Sequence, residues 1–156
     1  MMGSTHYESH PNYTKEEFLM SEENKTVVRQ YFERWGTPEA ERESLAPDFV
    51  GHMPGVPEPM NREAFIQYQG VVLSAFPDFA PTLEDQIAEG DKVASRLVFH
   101  GTHKGDFQGI PPTGKRVTVS AITIERVVGG KIVEHWIEYD ALGMMQQLGV
   151  VPPPGQ

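Results

Sequence analysis

The chain is predicted to be an α+β domain with its helices on one face of an antiparallel sheet, and two observations predict it. Apolar residues recur at helical spacing up to Phe76, and from Asp78 onward the period shifts from 3.6 toward 2. Helical segments that come first, with a run of strands after them, fit segregated layers rather than alternating βαβ units.

The elements follow in order. Residues 1–20 are expected as a flexible N-terminal arm, because the stretch through Lys15 is polar and has little apolar surface to offset its ordering entropy. Ser21 reads as an N-cap, and Val27, Val28, Tyr31, Phe32 and Trp35 give the first helix one apolar stripe before Gly36. Thr37-Pro38 repeats the start signal, so Pro38–Leu45 is expected as a short second helix. Asp48–His52 reads as a brief extended segment and Pro54–Pro59 as a loop. Asn61 caps a third helix, with Phe65, Ile66, Val72, Leu73 and Phe76 on one side and Pro77 at its end.

Four strands are expected at Ala80–Ala88, Lys92–His103, Val117–Val128 and Lys131–Tyr139. Gly129-Gly130 suits a type I′ hairpin turn, which needs positive φ at both central residues. Ala141–Leu148 reads as a last short helix closed by Gly149, leaving one domain over residues 21–150 and a tail over 151–156. In the third strand Val117, Val119 and Ala121 alternate with Ile122 and Ile124, so both sheet faces look covered. The helices cover one face, and a second copy is expected on the other, giving a homodimer.

Composition narrows the function classes. The 156 residues carry a formal net charge of −9, which disfavours nucleic acid and anionic membrane surfaces as partners. No cysteine is present, so disulfides, thiolate nucleophiles and Cys-ligated metals are excluded, and a reducing cytoplasm is a compatible setting. No run of 18 apolar residues and no basic start followed by an apolar segment occurs, so neither a membrane span nor a signal peptide is expected. The six histidines are scattered, and no metal-binding, nucleotide-binding or nucleophile-elbow motif occurs; no metal or cofactor is expected.

Four strings carry a family resemblance. The helix NKTVVRQYFERW, the segment LAPDFVGHMPG, the run GTHKGDFQGIPPTGKRVTVS and the end GGKIVEHWIEYDALGMMQQLG together resemble the SnoaL-like polyketide cyclases, also called ester cyclase-like proteins, of the nuclear transport factor two-like superfamily. The resemblance covers roughly Glu22 to Val150. It implies a cone-shaped α+β barrel, a strongly curved antiparallel sheet with three N-terminal helices on its concave face, dimeric through the outer face and hollow inside. It also implies cofactor-free chemistry, in which an acid removes a proton beside a carbonyl and the enolate closes a ring by an aldol reaction.

The sequence departs from that pattern where the chemistry sits. The family's acid lies two residues after the histidine of the last strand, and that position is Ile137, which cannot accept a proton. A cavity histidine of the family aligns with Thr123, and an early polar position aligns with Gly51, beside His52.

His135 shares strand parity with Val133, Ile137 and Tyr139 and is the first candidate base, since an imidazole titrates near neutral pH. The alternative is a buried histidine satisfied by its neighbours. His52 is the second candidate, beside a Gly/Pro loop at the expected pocket rim, or else a surface turn residue. Arg96 interrupts an apolar strand and reads either as a structural ion pair or as a holder of a substrate carboxylate or enolate. Thr123, Ile137 and Tyr139 complete the expected substrate-binding set. Asp140 is read as the cap of the last helix, Glu138 as an outer-face or interface residue, Trp136 as a core or dimer-interface anchor, and the loop with Phe107, Ile110, Pro111 and Pro112 as a lid or a rigid dimer contact.

Two function classes remain, the first resting on the resemblance. One is a cofactor-free cyclase or isomerase acting on a small apolar carbonyl or polyketide-like compound in an internal cavity. The other is a noncatalytic module of the same fold that binds a small apolar molecule or supports a dimer, as loss of the acid at Ile137 would suggest. A structural or partner-recruiting protein would differ from both in lacking a pocket of ligand size, roughly 300 Å³.

Overall fold

The computed structural model describes residue 8 and residues 12–155, so half of the expected N-terminal arm lies outside the described residues. Helix α1 spans Lys15–Glu33, α2 Pro38–Ser44, β1 Leu45–His52, β2 Met60–Asn61 and α3 Arg62–Ala75. Strands β3 (Ala80–Glu89), β4 (Lys92–Thr102), β5 (Arg116–Val128) and β6 (Lys131–Tyr139) follow, and α4 spans Ala141–Leu148. Together they make an α+β fold with one curved six-stranded sheet in the order β2-β1-β6-β5-β4-β3.

Helix α1 starts six residues before the Ser21 expected to cap it. Thr14 accepts from the Glu17 backbone N–H at 3.1 Å, and the Glu17 carboxylate takes the Thr14 N–H at 2.7 Å. This reciprocal capping box satisfies two orphan donors, so the polar segment up to Met20 extends the helix instead of ending the arm. Ser21 is then a buried residue on the helix rather than its cap.

The sheet is antiparallel except at one seam, where β1 lies parallel to β6, with Gly51 opposite His135 and His52 opposite Trp136. No hairpin joins these strands. Residues 53–130, half of the chain, separate them, so no short turn dictates their relative direction. Short β2, which follows the expected loop Pro54–Pro59, pairs antiparallel with the end of β1.

Gly129 and Gly130 adopt φ of +59° and +76°, giving the expected hairpin between β5 and β6. Beyond the turn, Val127 faces Ile132 but Arg126 faces Glu134, so Val133 is the extra residue of a β-bulge. The bulge overrides simple alternation: Ile132 and His135 are both buried, and Val133 loses the inward parity expected for it.

Helices α1, α2 and α3 lie on the concave face with Val28, Tyr31, Phe32, Phe65 and Val72 buried against it, and α4 closes the end with Met144 and Leu148. Asp140 caps α4 through the Gly143 N–H at 2.9 Å, as expected. Inward residues of β5, from Val117 to Val127, are all buried, while Ile122, Ile124 and Val128 stand exposed on the outer face. Among the described residues no helix is long and apolar enough to cross a membrane.

The β4–β5 loop is fixed at its base. Lys104 and Gly105 both donate to the Ala75 carbonyl, at 2.9 and 3.0 Å, using an acceptor that the end of α3 leaves free. Thr102 holds Asp78 through its N–H and hydroxyl, at 2.7 and 2.8 Å, and keeps that carboxyl below its ordinary range. At the tip Phe107 and Ile110 pair across Gln108 and Gly109, both at positive φ. This folds Phe107 inward, edge-on to Phe76 at 5.3 Å between centroids. The loop is therefore a packed wall element held to α3.

Candidate functional site

Between the concave sheet face and the helices lies a pocket of about 80 Å³ with an almost wholly apolar lining. Phe65, Val72, Phe79, Phe99, Phe107 and Val119 are among the apolar residues of that wall. This is well below the roughly 300 Å³ at which ligand pockets begin. A ring-sized guest requires the lining to shift, and Met53 and Met144 are the adaptable side chains on it.

Two polar groups are set into this wall. The first is His135, 4% exposed, whose Nδ1 lies 2.9 Å from Oε1 of Glu125. Glu125 is fully buried on β5 directly across from His135, and Thr123 donates to its other oxygen at 3.2 Å. A carboxylate accepting at Nδ1 fixes the imidazole tautomer and leaves Nε2 as the basic nitrogen. Phe65 packs against the ring at 5.2 Å, which restricts its rotation.

The second group is centred on Gln69. In the orientation that pairs every atom, its amide nitrogen donates to Glu41 at 3.0 and 3.3 Å, and its oxygen accepts from Tyr31 Oη at 3.0 Å and Trp35 Nε1 at 3.2 Å. Glu41 is 1% exposed and also accepts from the Gly36 N–H at 3.0 Å. Burial raises the Glu41 carboxyl above its ordinary range, against the opposing pull of Gly36, Tyr31, Gln69 and His135. Burial, and next the nearby Glu41 charge, push the Tyr31 hydroxyl well above the phenol range, so Tyr31 keeps its proton. Tyr68 and Tyr139 also line the cavity; burial and then the neighbouring Tyr139 raise Tyr68 to about 12.

The structure brings together only some of the expected site residues. His135, Ile137 and Tyr139 line the cavity, and Thr123 stands on the inner face behind them as support for Glu125. His52 lies elsewhere. It is on the outer face, stacked on Trp136 at 5.3 Å and paired with Glu134 at 2.9 Å. The reason is register: Gly51 sits opposite inward-facing His135, so the next residue points out. Arg96 is likewise exposed on the outer face, opposite Ile122, because the buried Ser95 and Leu97 beside it take the inner positions. Neither reaches the cavity.

Gly51 explains one departure from the family pattern, since a Cβ there would stand 2.9 Å from the Phe65 ring, and no polar side chain fits. His100 and His103 face opposite sides, as expected from their spacing: His100 meets Thr118 outside, and buried His103 accepts from the Thr113 N–H at 3.2 Å. Among the described residues no group of three or more His, Asp or Glu side chains is placed to hold a metal ion.

Sequence reasoning missed Glu125, Glu41, Gln69 and the inward role of Tyr31. Glu125 had a readable signal, because it shares a face with Thr123, two residues earlier on the same strand. Glu41 had none, since a Glu in the short segment PEAERES reads as a solvated helix residue.

Comparison with known proteins places this arrangement in a family. The model of the SnoaL-like polyketide cyclases matches residues 25–148. Nogalonic acid methyl ester cyclase of Streptomyces nogalater is 38% identical over 88 residues, covering 56% of this chain and 66% of that protein, just under two thirds of its length. Aklanonic acid methyl ester cyclase DnrD of Streptomyces peucetius is 35% identical over 108 residues, 69% of this chain and 72% of that protein. Among solved structures, wild-type IdmH from Streptomyces antibioticus superposes with a TM-score of 0.75 at 35% identity, covering 81% of this chain and 98% of its own. With a family model spanning most of its length, this chain belongs to the SnoaL-like polyketide cyclases.

Proposed function

We propose that the protein is a cofactor-free cyclase that closes a ring in an apolar, ester-bearing polyketide intermediate, with His135 as its base. The observation that carries this reading is the buried His135–Glu125 pair on the cavity wall, next to the acid-less position Ile137. Relatives named for nogalonic and aklanonic acid methyl esters support the substrate class. In the proposed step His135 Nε2 takes the proton from the carbon between two carbonyls. The carbanion electron pair then forms a carbon–carbon bond to a second carbonyl carbon, and the imidazolium returns its proton to the resulting alkoxide. Glu125 stabilises the transient imidazolium. Apolar walls keep water from quenching the enolate.

The test is ring closure of aklanonic acid methyl ester or nogalonic acid methyl ester by wild type and His135→Ala. The reading expects turnover by wild type and a loss of roughly 10²–10⁴-fold in the variant, the usual worth of a positioned base. Equal turnover by a folded His135→Ala protein would reject it.

A second reading, a noncatalytic binding module, is favoured by the small cavity volume of about 80 Å³ and by Ile137. Saturable binding of either ester without any turnover by wild type would select it. In both readings we place a second copy against the outer sheet face, where Ile87, Ile122 and Val128 are 70%, 50% and 52% exposed. Light scattering on Ile122→Lys should then give a monomer where wild type gives a dimer.

A further inference from the structure

We propose that Tyr31 is a second catalytic group, donating its hydroxyl proton as a hydrogen bond to the substrate oxygen that becomes negative, with Gln69, Trp35 and Glu41 as its positioning residues. The proposal rests on reading the cavity as an acid–base site. Tyr31, Gln69, Trp35 and His135 all line the same cavity, so a base and a donor face one space.

The geometry supplies a spare donor. Gln69 Oε1 accepts from both Tyr31 and Trp35, while its amide nitrogen is held by Glu41. Trp35 Nε1–H has one direction in the ring plane, so it pins the amide oxygen toward itself. If the Tyr31 hydroxyl turns to a guest, Gln69 still keeps Trp35 as a partner. Redirecting Tyr31 leaves no buried amide atom unsatisfied, and Glu41, which also takes a hydrogen bond from the Tyr31 hydroxyl, keeps Gly36 and Gln69 as partners, so the donor can meet a developing oxyanion without dismantling its support.

Glu41 tunes this donor. It faces the Gly36 N–H, Tyr31 from α1, Gln69 from α3 and, at longer range, His135 from β6; Glu125 acts on Tyr31 from the opposite side. A neutral Glu41 leaves the Tyr31 end of the cavity hospitable to an anion. An ionised Glu41 repels one. Its carboxyl is raised by burial, so anion affinity should fall as pH rises through that raised value.

The test uses 4-nitrophenolate as an enolate mimic, with affinity corrected for the free ligand's own ionisation. It is measured across pH in wild type, Tyr31→Phe and Glu41→Gln, and again in the His135→Ala background, where the imidazole no longer titrates. Tyr31→Phe should weaken binding by about tenfold or more, the worth of one hydrogen bond to a charged group. Glu41→Gln, which keeps the volume and can still hold Gln69, should bind the phenolate and flatten the fall in affinity with pH. Thermal unfolding of each variant checks that it is folded.

Equal affinity in wild type and Tyr31→Phe would overturn the proposal, as would absence of phenolate binding by wild type. A Glu41→Gln profile that still falls with pH would remove Glu41 from it. None of these results depends on turnover, so they stand apart from the ring-closure assay that judges His135.

Discussion

Replacing Glu125 by Gln separates a catalytic carboxylate from a structural one. Its oxygen lies 2.9 Å from His135 Nδ1, which puts the charge centres of a carboxylate and an imidazolium roughly 4 Å apart. At an effective dielectric of about 20 that attraction is about 4 kcal/mol, and it exists only while His135 carries the substrate proton. Gln keeps a neutral hydrogen bond to Nδ1, so about 1 kcal/mol survives. The remaining loss of about 3 kcal/mol corresponds to a turnover decrease of roughly a hundredfold or somewhat more, because 1.36 kcal/mol is tenfold. Stability should change little or rise, since Gln removes a buried charge and keeps the hydrogen bond to Nδ1. The assay is ring closure of the methyl ester substrates under saturating conditions, alongside thermal unfolding. A folded Glu125→Gln protein within about threefold of wild-type turnover would refute the argument.

Three further outcomes follow from the geometry. Adding Ile137→Asp to His135→Ala restores the family's acid on the same cavity wall and should recover part of the lost ring closure, at a stability cost of about 1–3 kcal/mol for a partly buried carboxyl; no recovery would mean that position 137 does not face the reacting carbon. Gly105→Ala should destabilise by about 1–3 kcal/mol in urea unfolding, because its Cβ would stand 2.4 Å from the Ser74 carbonyl oxygen and push the Phe107 loop off α3; an unchanged midpoint would contradict that contact. His52→Ala should leave turnover intact, since His52 lies on the outer face, yet weaken the depression of the Glu134 carboxyl, which is lowered mainly by His52 and then by Arg126. The stability that Glu134 contributes is present above the unfolded carboxyl value and lost as pH falls through its lower folded value, so NMR titration of Glu134 in the variant should move upward.

The sequence made the strands, the Gly129-Gly130 turn and the capped helix α4 readable because each rests on local chemistry within a few residues. It also made β1 readable as an extended segment but not its parallel place beside β6, which depends on contacts between distant parts of the chain. The errors at His52 and Arg96 share one cause. Alternation says which residues share a face, but not which face is inside, and here the buried residues Gly51, Ser95 and Leu97 take the inner positions. Likewise the bulge at Val133 shifts the β6 pairing by one residue. Counting outward from the turn without it would set Glu125 against Glu134, and the His135–Glu125 pair would be invisible.

That bulge bears on how the chemistry can persist without an acid at position 137. Inward residues of adjacent antiparallel strands meet across the ladder with Cβ atoms about 5 Å apart, whereas inward neighbours along one strand stand about 7 Å apart. An acid two residues beyond the histidine is therefore too far to fix its ring, and it must act on the substrate by itself. An acid across the ladder, at Glu125, is close enough to hold Nδ1 and too deeply buried to serve as the group that meets substrate. In the proposed mechanism, moving the carboxylate from β6 to β5 would change its task from base to support and pass the role of base to the imidazole. The same fold then keeps its proton acceptor on the same strand, displaced by two residues along the cavity wall.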